Sequence, residues 1–475
     1  VTAASTSDPA PGGALPPARG AGRPYLRALQ VLYDVFYALL LLVGLPFIAF
    51  MMVASHRWRA GLGQRLGFVP RRVGDRPAVW IHGVSNGEVL AAKELVKLID
   101  AEMPWADVVV STTTRTGREA AERTYPGKHV IYYPLDLSFA TRRVVERVRP
   151  DLVLLMELEL WPNFLLTTSL RGVPVLLANG RMSSKSARDY RRLQRFIPEP
   201  MTRVLHYCVQ SEEYAERFRS LGVPPGRITI TGSMKFDTVA DGLPPAVADS
   251  YRRRLGVAPG QFVLVGGSTH GHEDALLIDA CDAIRAAQPG VRLVLVPRHP
   301  EHVREVEALV RARGLVPVRL SELVEEWPAD ADPLRSVVVG DTSGELARLY
   351  VVADLVFVGG SLTRRGGQNM MEPAGMGKAV VVGPNTWNFR DPMELLLSRG
   401  GIRQCADGDA VRAELVRLAA DPEARRRMGE NARSICRESK GATRRILDIV
   451  RDYVPNPARA AAPLRERAGQ EDSRS

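Results

Sequence analysis

Residues 78–99 read AVWIHGVSNGEVLAAKELVKLI. The unbroken apolar run Ala78–Ile81 is the pattern of a strand buried on both faces, and Val89–Ile99 carries apolar residues at helical spacing. His82-Gly83-Val84-Ser85-Asn86-Gly87-Glu88 between them is then a strand-to-helix turn. Outward from this unit the alternation repeats. Asp107–Val110, Val130–Tyr133, Leu152–Met156, Val173–Leu177 and Tyr207–Val209 read as strands, with helical stretches such as Ala140–Val148 and Glu212–Leu221 between them. ADGLPP at 240–245 reads as a linker, after which the cycle restarts. Phe262–Val265, Arg292–Val296, Val337–Val339, Leu355–Val358 and Ala379–Val382 are strand-like, and Asp409–Tyr453 is all helical. Repeated βα units make doubly wound α/β sheets. Two such halves, residues 55–240 and 241–455, predict two Rossmann-like domains with a cleft at their strand C-termini.

The chain has 475 residues, 45% apolar and 25% charged, with a net charge of +11. That is globular, and the positive balance suits an anionic membrane, a phosphorylated substrate or nucleic acid. No zinc-finger, helix-turn-helix or RNP string is visible, so nucleic acid is not expected. Cys208, Cys281, Cys405 and Cys436 lie far apart with no CxxC pair, which argues against zinc and against a disulfide framework. Residues 1–30, rich in Ala, Pro and Gly, read as a disordered arm, and 456–475 as a disordered tail. Val31–Ala54 is apolar with one charge, Asp34, and its length suits a bilayer at about 1.5 Å per residue. It predicts a transmembrane or monotopic anchor. Arg57, Arg59, Arg65, Arg71 and Arg72 follow it and favour a cytoplasmic side facing anionic lipid, although Arg19, Arg23 and Arg27 flank the other end.

Several strings carry candidate chemistry. Glu88 enters a helix straight after a strand, where a carboxylate can take a proton from an attacking hydroxyl; the same position also suits a helix-dipole partner. Ser111-Thr112-Thr113-Thr114-Arg115 follows the next strand, as polar-ligand groups or as a helix cap. Glu157 and Glu159, in MELELWPN, follow an apolar strand and are costly there unless exposed or paired. Ser268-Thr269-His270 opens the second half, with Glu273 beyond. Arg298, in VPRHP, ends a strand where it can hold a phosphate. Gly359-Gly360-Ser361-Leu362 and Gly366-Gly367-Gln368-Asn369-Met370-Met371-Glu372-Pro373 lead into a helix whose start predicts an anion site, with Glu372 placed to chelate ribose hydroxyls. Lys235 adds a cation near the domain junction.

Together these strings resemble the 3-deoxy-D-manno-octulosonic acid (Kdo) transferases of lipopolysaccharide synthesis. The resemblance runs from about Tyr33 to about Tyr453 and rests on WIHGVSNGE, STTTRTG, YYPLD, MELELWPN, LANGRMS, QSEEYAERF, TGSMKFD, GSTHGHE, LVPRHPE, GDTSGELARLY, GGQNMMEP and VGPNTWNF. It implies a GT-B fold with an N-terminal membrane anchor, acting without metal or other cofactor at the cytoplasmic face of the bacterial inner membrane. It implies CMP-Kdo as donor, the lipid A disaccharide precursor (lipid IVA) as acceptor, and inversion at the anomeric carbon. Glu88 matches the family's base, and Arg298 with Gly366–Asn369 matches the phosphate grip. Glu372 matches the ribose ligand, and Lys235 matches a lysine that assists the leaving phosphate. Ser268, Thr269 and His270 join the donor set, and Ser85, Gly87, Thr113, Arg115, Glu157, Glu159 and Arg181 are the acceptor candidates. Departures from the family pattern are Asn86, Gly180, Gly271, His272 and Gln368, the last replacing a histidine by a side chain that cannot carry a proton. The rival expectations are a GT-B enzyme using a UDP-sugar and a catalytically silent, membrane-tethered anion-binding protein.

Overall fold

The computed structural model describes residues 22–54, 61–194 and 200–457. Arg57, Arg59 and most of the arm and tail predicted from composition lie outside the described residues. The chain divides into two compact units, the first running to Thr238 and resuming at Lys440, the second spanning Val239–Ser439.

In the first unit, seven parallel strands stand in the order β3-β2-β1-β4-β5-β6-β7. They are β1 Ala78–His82, β2 Asp107–Thr112, β3 His129–Tyr132, β4 Leu152–Met156, β5 Val175–Gly180, β6 His206–Val209 and β7 Ile228–Ile230. Alternate residues serve opposite faces. Trp80, Val109, Val153 and Leu177 join one core, while Val79, Ile81, Leu154 and Leu176 join the other. Both faces are covered, which is why these strands are continuous apolar runs. The chain order reverses between β1 and β4, whose registers set His82 beside Leu155.

In the second unit the order is β10-β11-β9-β8-β12-β13-β14, again parallel. The strands are β8 Val263–Thr269, β9 Arg292–Pro297, β10 Val316–Arg319, β11 Ser336–Val339, β12 Leu355–Val358, β13 Ala379–Val382 and β14 Arg403–Gln404. Its reversal lies between β8 and β12, which pair from Leu264–Leu355 to Gly267–Val358. Every strand expected from sequence is present. The three additional ones, β7, β10 and β14, are short sheet edges with partly or fully exposed residues, so they lack the apolar run that marks the others.

Two boundaries differ from expectation. The second half does not extend to residue 455, because helix Ala442–Tyr453 belongs to the first unit. Ile446, Leu447 and Val450 pack in one core with Leu95 and Ile99. Asp237 caps the helix start by accepting the N–H groups of Gly441 and Thr443, both at 2.6 Å. Glu102 pairs with Arg444 and Arg451 from the same helix.

The N-terminal helix, α1, spans Arg23–Ala54, so residues 23–30 are helical and not part of a disordered arm. Leu26, Gln30 and Tyr33, at heptad-like spacing, are buried, and Leu26 and Tyr33 cluster with Leu166. Val31, Leu32, Val35, Phe36 and Leu39 are exposed. Over Arg23–Gly44 the helix is long and apolar enough to cross a membrane. Two of the arginines expected to face lipid serve the fold instead. Arg72 is buried, paired with Asp107 at 2.9 Å and donating to the Val148 and Arg76 carbonyls, each at 2.9 Å. Arg65 donates to the Thr113 carbonyl and lies 4.9 Å over the Tyr132 ring.

Candidate active site

At the first reversal, Gly83 lets the chain turn closely out of β1, since a Cβ there would sit 3.0 Å from Glu88 Cβ. Ser85 caps helix Asn86–Ala91, its Oγ accepting from the Glu88 N–H at 3.3 Å. The Glu88 carboxylate reaches back, accepting from Ser85 Oγ at 2.8 Å and from the Val84 N–H at 2.9 Å. This is a reciprocal cap of the capping-box type. Burial, and then the charge of Glu157, raises the Glu88 pKa above the usual carboxylate value, against the pull of these hydrogen bonds. Glu88 is therefore both a cap and a basic carboxylate.

Glu157 leaves β4 in the left-handed region with φ 58°, a conformation that costs energy for a non-glycine residue. Its Oε2 is paired with Arg181 Nε at 2.7 Å. Glu159 accepts from Trp161 Nε1 at 2.8 Å, and burial, with the charges of Glu88 and Glu157, pushes its pKa up to about 7. Glu88, Glu157, Glu159 and Arg181 thus form one electrostatic group around the ends of β1 and β4, and the reversal of strand order is where such sheets bind ligands.

Other first-unit candidates do different work. Thr112, Thr113 and Thr114 all donate their hydroxyls to the Val84 carbonyl, at 2.8, 3.2 and 3.2 Å, and so pin the turn before Glu88. Thr114 also caps the next helix. Arg115 pairs with Glu119 at 2.6 Å on an exposed helix surface. Gly87 is exposed, and a Cβ there would meet only Ser85 Oγ at 3.8 Å. His82 is fully buried and stacked on Tyr133 with ring centroids 3.7 Å apart; burial pushes its pKa down to about 3, so it is a neutral core ring. Lys235 lies in a 3-10 turn, Met234–Phe236, held by the Met234 N–H donating to Asn179 Oδ1 at 3.0 Å.

The second reversal has its own group. Glu273, fully buried, stitches the loops after β8 and β12 together, accepting the N–H groups of His270 and Gly360 at 2.8 Å and of Leu362 at 2.9 Å. Ser268 is left-handed at φ 53°, and Thr269 donates to Asp274 at 2.5 Å. Burial, followed by the charges of Arg365, His299, Arg298 and His302, pushes His270 down to about 4. The ring is neutral at pH 7, so Gln368 Nε2 donates to His270 Nε2 at 3.3 Å and leaves the ring proton on Nδ1. Arg298 is exposed, its own N–H anchored to the Thr269 carbonyl at 3.0 Å. Arg298 and Arg365, with the His299 and His302 rings beside them, make a rim at the glycine loop in which the two guanidinium groups carry the positive charge.

The glycine loop departs from the expected helix-start anion site. Gly366 and Gly367 are left-handed, at φ 84° and 77°. The N–H groups of Gly367 and Gln368 are already donated to the Gly360 and Gly359 carbonyls, at 2.9 and 3.0 Å. The helix that follows, Met371–Gly375, begins only after Asn369, which accepts the Met371 N–H at 3.1 Å and donates to Glu372 Oε1 at 2.9 Å. Burial raises the Glu372 pKa. Among the described residues, no group of three His, Cys, Asp or Glu side chains could hold a metal ion.

Sequence reasoning passed over Glu273 as a binding-loop strut, and it passed over Arg365, His299 and His302. Glu273 was visible as an acid in the first turn after a strand. The rim as a whole had no spacing signal, because two separate loops contribute it, residues 298–302 after β9 and Arg365 after β12.

Two parallel seven-stranded sheets, each with polar residues gathered at the reversal of its strand order, define the GT-B fold. The fold is shared with a glycosyltransferase from Rickettsia africae, at TM-score 0.50 and 11% identity over 80% of this chain and 99% of that one. It is shared also with Anabaena Alr3699/HepE in complex with UDP, at TM-score 0.50 and 14% identity over 79% and 99%. Residues 60–238 match the family model of 3-deoxy-D-manno-octulosonic-acid transferase (kdotransferase). The 3-deoxy-D-manno-octulosonic acid transferase of Bordetella pertussis is 35% identical over 87% of this chain and 98% of its own. That of Haemophilus influenzae is 32% identical over 89% and 99%. The chain belongs to the Kdo transferase family.

Proposed function

We propose that the protein transfers Kdo from CMP-Kdo to the lipid A disaccharide precursor, lipid IVA, with inversion and without a metal ion. In this reading it works at the cytoplasmic face of the bacterial inner membrane. The observation that carries the reading is Glu88, a half-buried carboxylate at the end of β1 whose basicity is raised by burial and by Glu157. Family membership supports the sugar, and the cationic rim and Glu372 of the second unit support a nucleotide donor.

In the proposed reaction the acceptor hydroxyl gives its proton to Glu88. Its oxygen attacks the anomeric carbon of Kdo on the face opposite CMP. The bond from that carbon to the phosphate oxygen breaks, and CMP leaves with the electron pair. Arg298 stabilises the growing phosphate charge, a role the family resemblance also gives to Lys235, and a donor of the oxyanion-hole kind is worth about 3 kcal/mol of barrier. Glu372 holds the ribose hydroxyls. Ser268–His270 and Gly366–Asn369 shape the donor pocket, the glycines by close approach. Glu157, Glu159 and Arg181 orient the acceptor sugar, with Ser85, Gly87, Thr113 and Arg115 as further acceptor groups.

The test is to incubate the purified protein with CMP-Kdo and tetra-acylated lipid A precursor and weigh the product. A mass increase of whole Kdo units is expected. No product, together with greater thermal stabilisation by UDP than by CMP, overturns the reading in favour of a UDP-sugar enzyme. Product absent with neither nucleotide stabilising favours the silent anion-binding protein.

A further inference from the structure

Asp34 is the single charge in the apolar part of α1, and a carboxylate in a membrane helix costs about 3 kcal/mol at the bilayer centre. Here it is not offered to lipid. Asp34 Oδ1 accepts the Ser138 N–H and Asn163 Nδ2, both at 2.9 Å, and Oδ2 accepts the Ser138 hydroxyl. One turn on, Tyr37 donates to Asp136 Oδ2 at 3.0 Å. One turn before, Gln30 donates to Thr167 Oγ1 at 2.9 Å.

Ser138 opens helix Ser138–Val148, and Gln30 meets the neighbouring helix Pro162–Leu170 at Thr167. Through Asn163 and Asp136, Asp34 and Tyr37 reach the start of helix Pro162–Leu170. The Asp136 carboxylate accepts the N–H groups of Asn163 and Phe164, at 3.0 and 2.8 Å, and so caps that helix from a distant loop. Asn163 Nδ2 donates to the Asp136 carbonyl at 2.8 Å as well as to Asp34. The residue before this helix is Trp161, whose indole holds Glu159. The short segment from Glu157 to Trp161 therefore hangs between β4 and a helix start whose polar contacts are completed by α1.

We propose that α1 is a positioning element and not only a tether: Asp34 and Tyr37 hold the start of helix Pro162–Leu170, and through it the Glu157–Trp161 loop that adjoins Glu88. The inference rests on the Kdo-transfer reading for its kinetic arm only. Asp34 and Tyr37 act through other residues and touch no reacting atom. A simple anchor and a positioning element differ in one consequence. Replacing Asp34 by leucine makes the helix more apolar, so an anchor holds the membrane at least as well and the enzyme keeps its rate.

The experiment compares the full-length wild type with Asp34→Leu, Asp34→Asn and Tyr37→Phe on vesicles of phosphatidylethanolamine and phosphatidylglycerol. Co-flotation, kcat and KM for CMP-Kdo, and amide hydrogen exchange over residues 157–166 are measured. We expect Asp34→Leu to float as well as wild type, to lose about tenfold or more in kcat with KM for CMP-Kdo unchanged, and to exchange faster at 157–166. Asp34→Asn, which keeps one acceptor oxygen, falls between the two, and Tyr37→Phe moves in the same direction by less. Unchanged kcat or unchanged exchange in Asp34→Leu overturns the proposal. If Asp34→Leu does not fold, the two milder variants decide it by the same criteria. A wild type that transfers no Kdo refutes the functional reading, while the exchange comparison still tests the clamp.

Discussion

Replacing Glu88 by glutamine separates its two roles, because the structure assigns different magnitudes to each. As a cap, the carboxylate accepts the Val84 N–H at 2.9 Å and the Ser85 hydroxyl at 2.8 Å. Glutamine keeps one acceptor oxygen, so at most about 1 kcal/mol of capping is lost. The charge works the other way. The folded pKa lies above the unfolded one, so the stability this group contributes is present below about pH 4.5 and lost as pH rises through the folded value. At neutral pH the ionised group destabilises the fold, and glutamine removes that cost. The two effects offset, and the net stability change should stay within about 1 kcal/mol of zero by urea denaturation. As a general base, Glu88 is worth roughly 10²–10⁴ in rate, which is about 2.7–5.5 kcal/mol of barrier. Glu88→Gln should therefore lower kcat by that factor with little change in affinity for CMP-Kdo. The wild-type acid limb of kcat/KM should lie above the ordinary carboxylate range and should vanish in the variant. A variant that keeps kcat within a few-fold while losing about 1 kcal/mol of stability would show that Glu88 is a cap alone.

Arg72→Met should cost about 3 kcal/mol in urea denaturation, because it strips the buried Val148 carbonyl, the part-buried Arg76 and Arg149 carbonyls and Asp107 of their donor, whereas exposed Arg71→Met should cost less than about 0.5 kcal/mol; equal small effects would return both residues to the membrane surface. Gly366→Ala should abolish CMP binding by calorimetry, since its φ is 84° and a Cβ would lie 2.4 Å from Trp387 Nε1, while Gly87→Ala, with open space around it, should fold and bind CMP normally. Glu159 has its folded pKa raised to about 7, so its stabilising contribution is present below about pH 4.5 and fades up to pH 7; Glu159→Gln should flatten the wild-type decline in stability across that window by roughly 2 kcal/mol, and parallel curves would contradict the assigned shift.

The strand runs were legible because a parallel sheet covered on both faces needs consecutive apolar residues, as in Leu152–Met156. The short exposed edges β7, β10 and β14 carry no such run and were not legible. Motif strings placed Glu157 just after β4, Ser268–His270 at the end of β8, Glu88 in the first turn of the helix after β1 and Glu372 in the helix after the glycine loop, as the structure does. They did not show that Arg115 pairs with Glu119 on an exposed helix surface while Arg181 pairs with Glu157. The arginines after α1 looked alike as a basic cluster. Only packing distinguished Arg72, buried against Asp107, from exposed Arg71.

Local sequence determined the two doubly wound halves, the glycine-rich turns and the family, since each depends on neighbours a few residues apart. Tertiary structure alone decided what the charges do. Whether Asp34 meets lipid or Ser138 and which unit receives the last helix depend on residues far along the chain, and whether the Gly367 amide meets a ligand or the Gly360 carbonyl depends on how the loop between them closes. A charged or polar group takes its energy from the partner it meets, and only the folded chain brings that partner within hydrogen-bond reach.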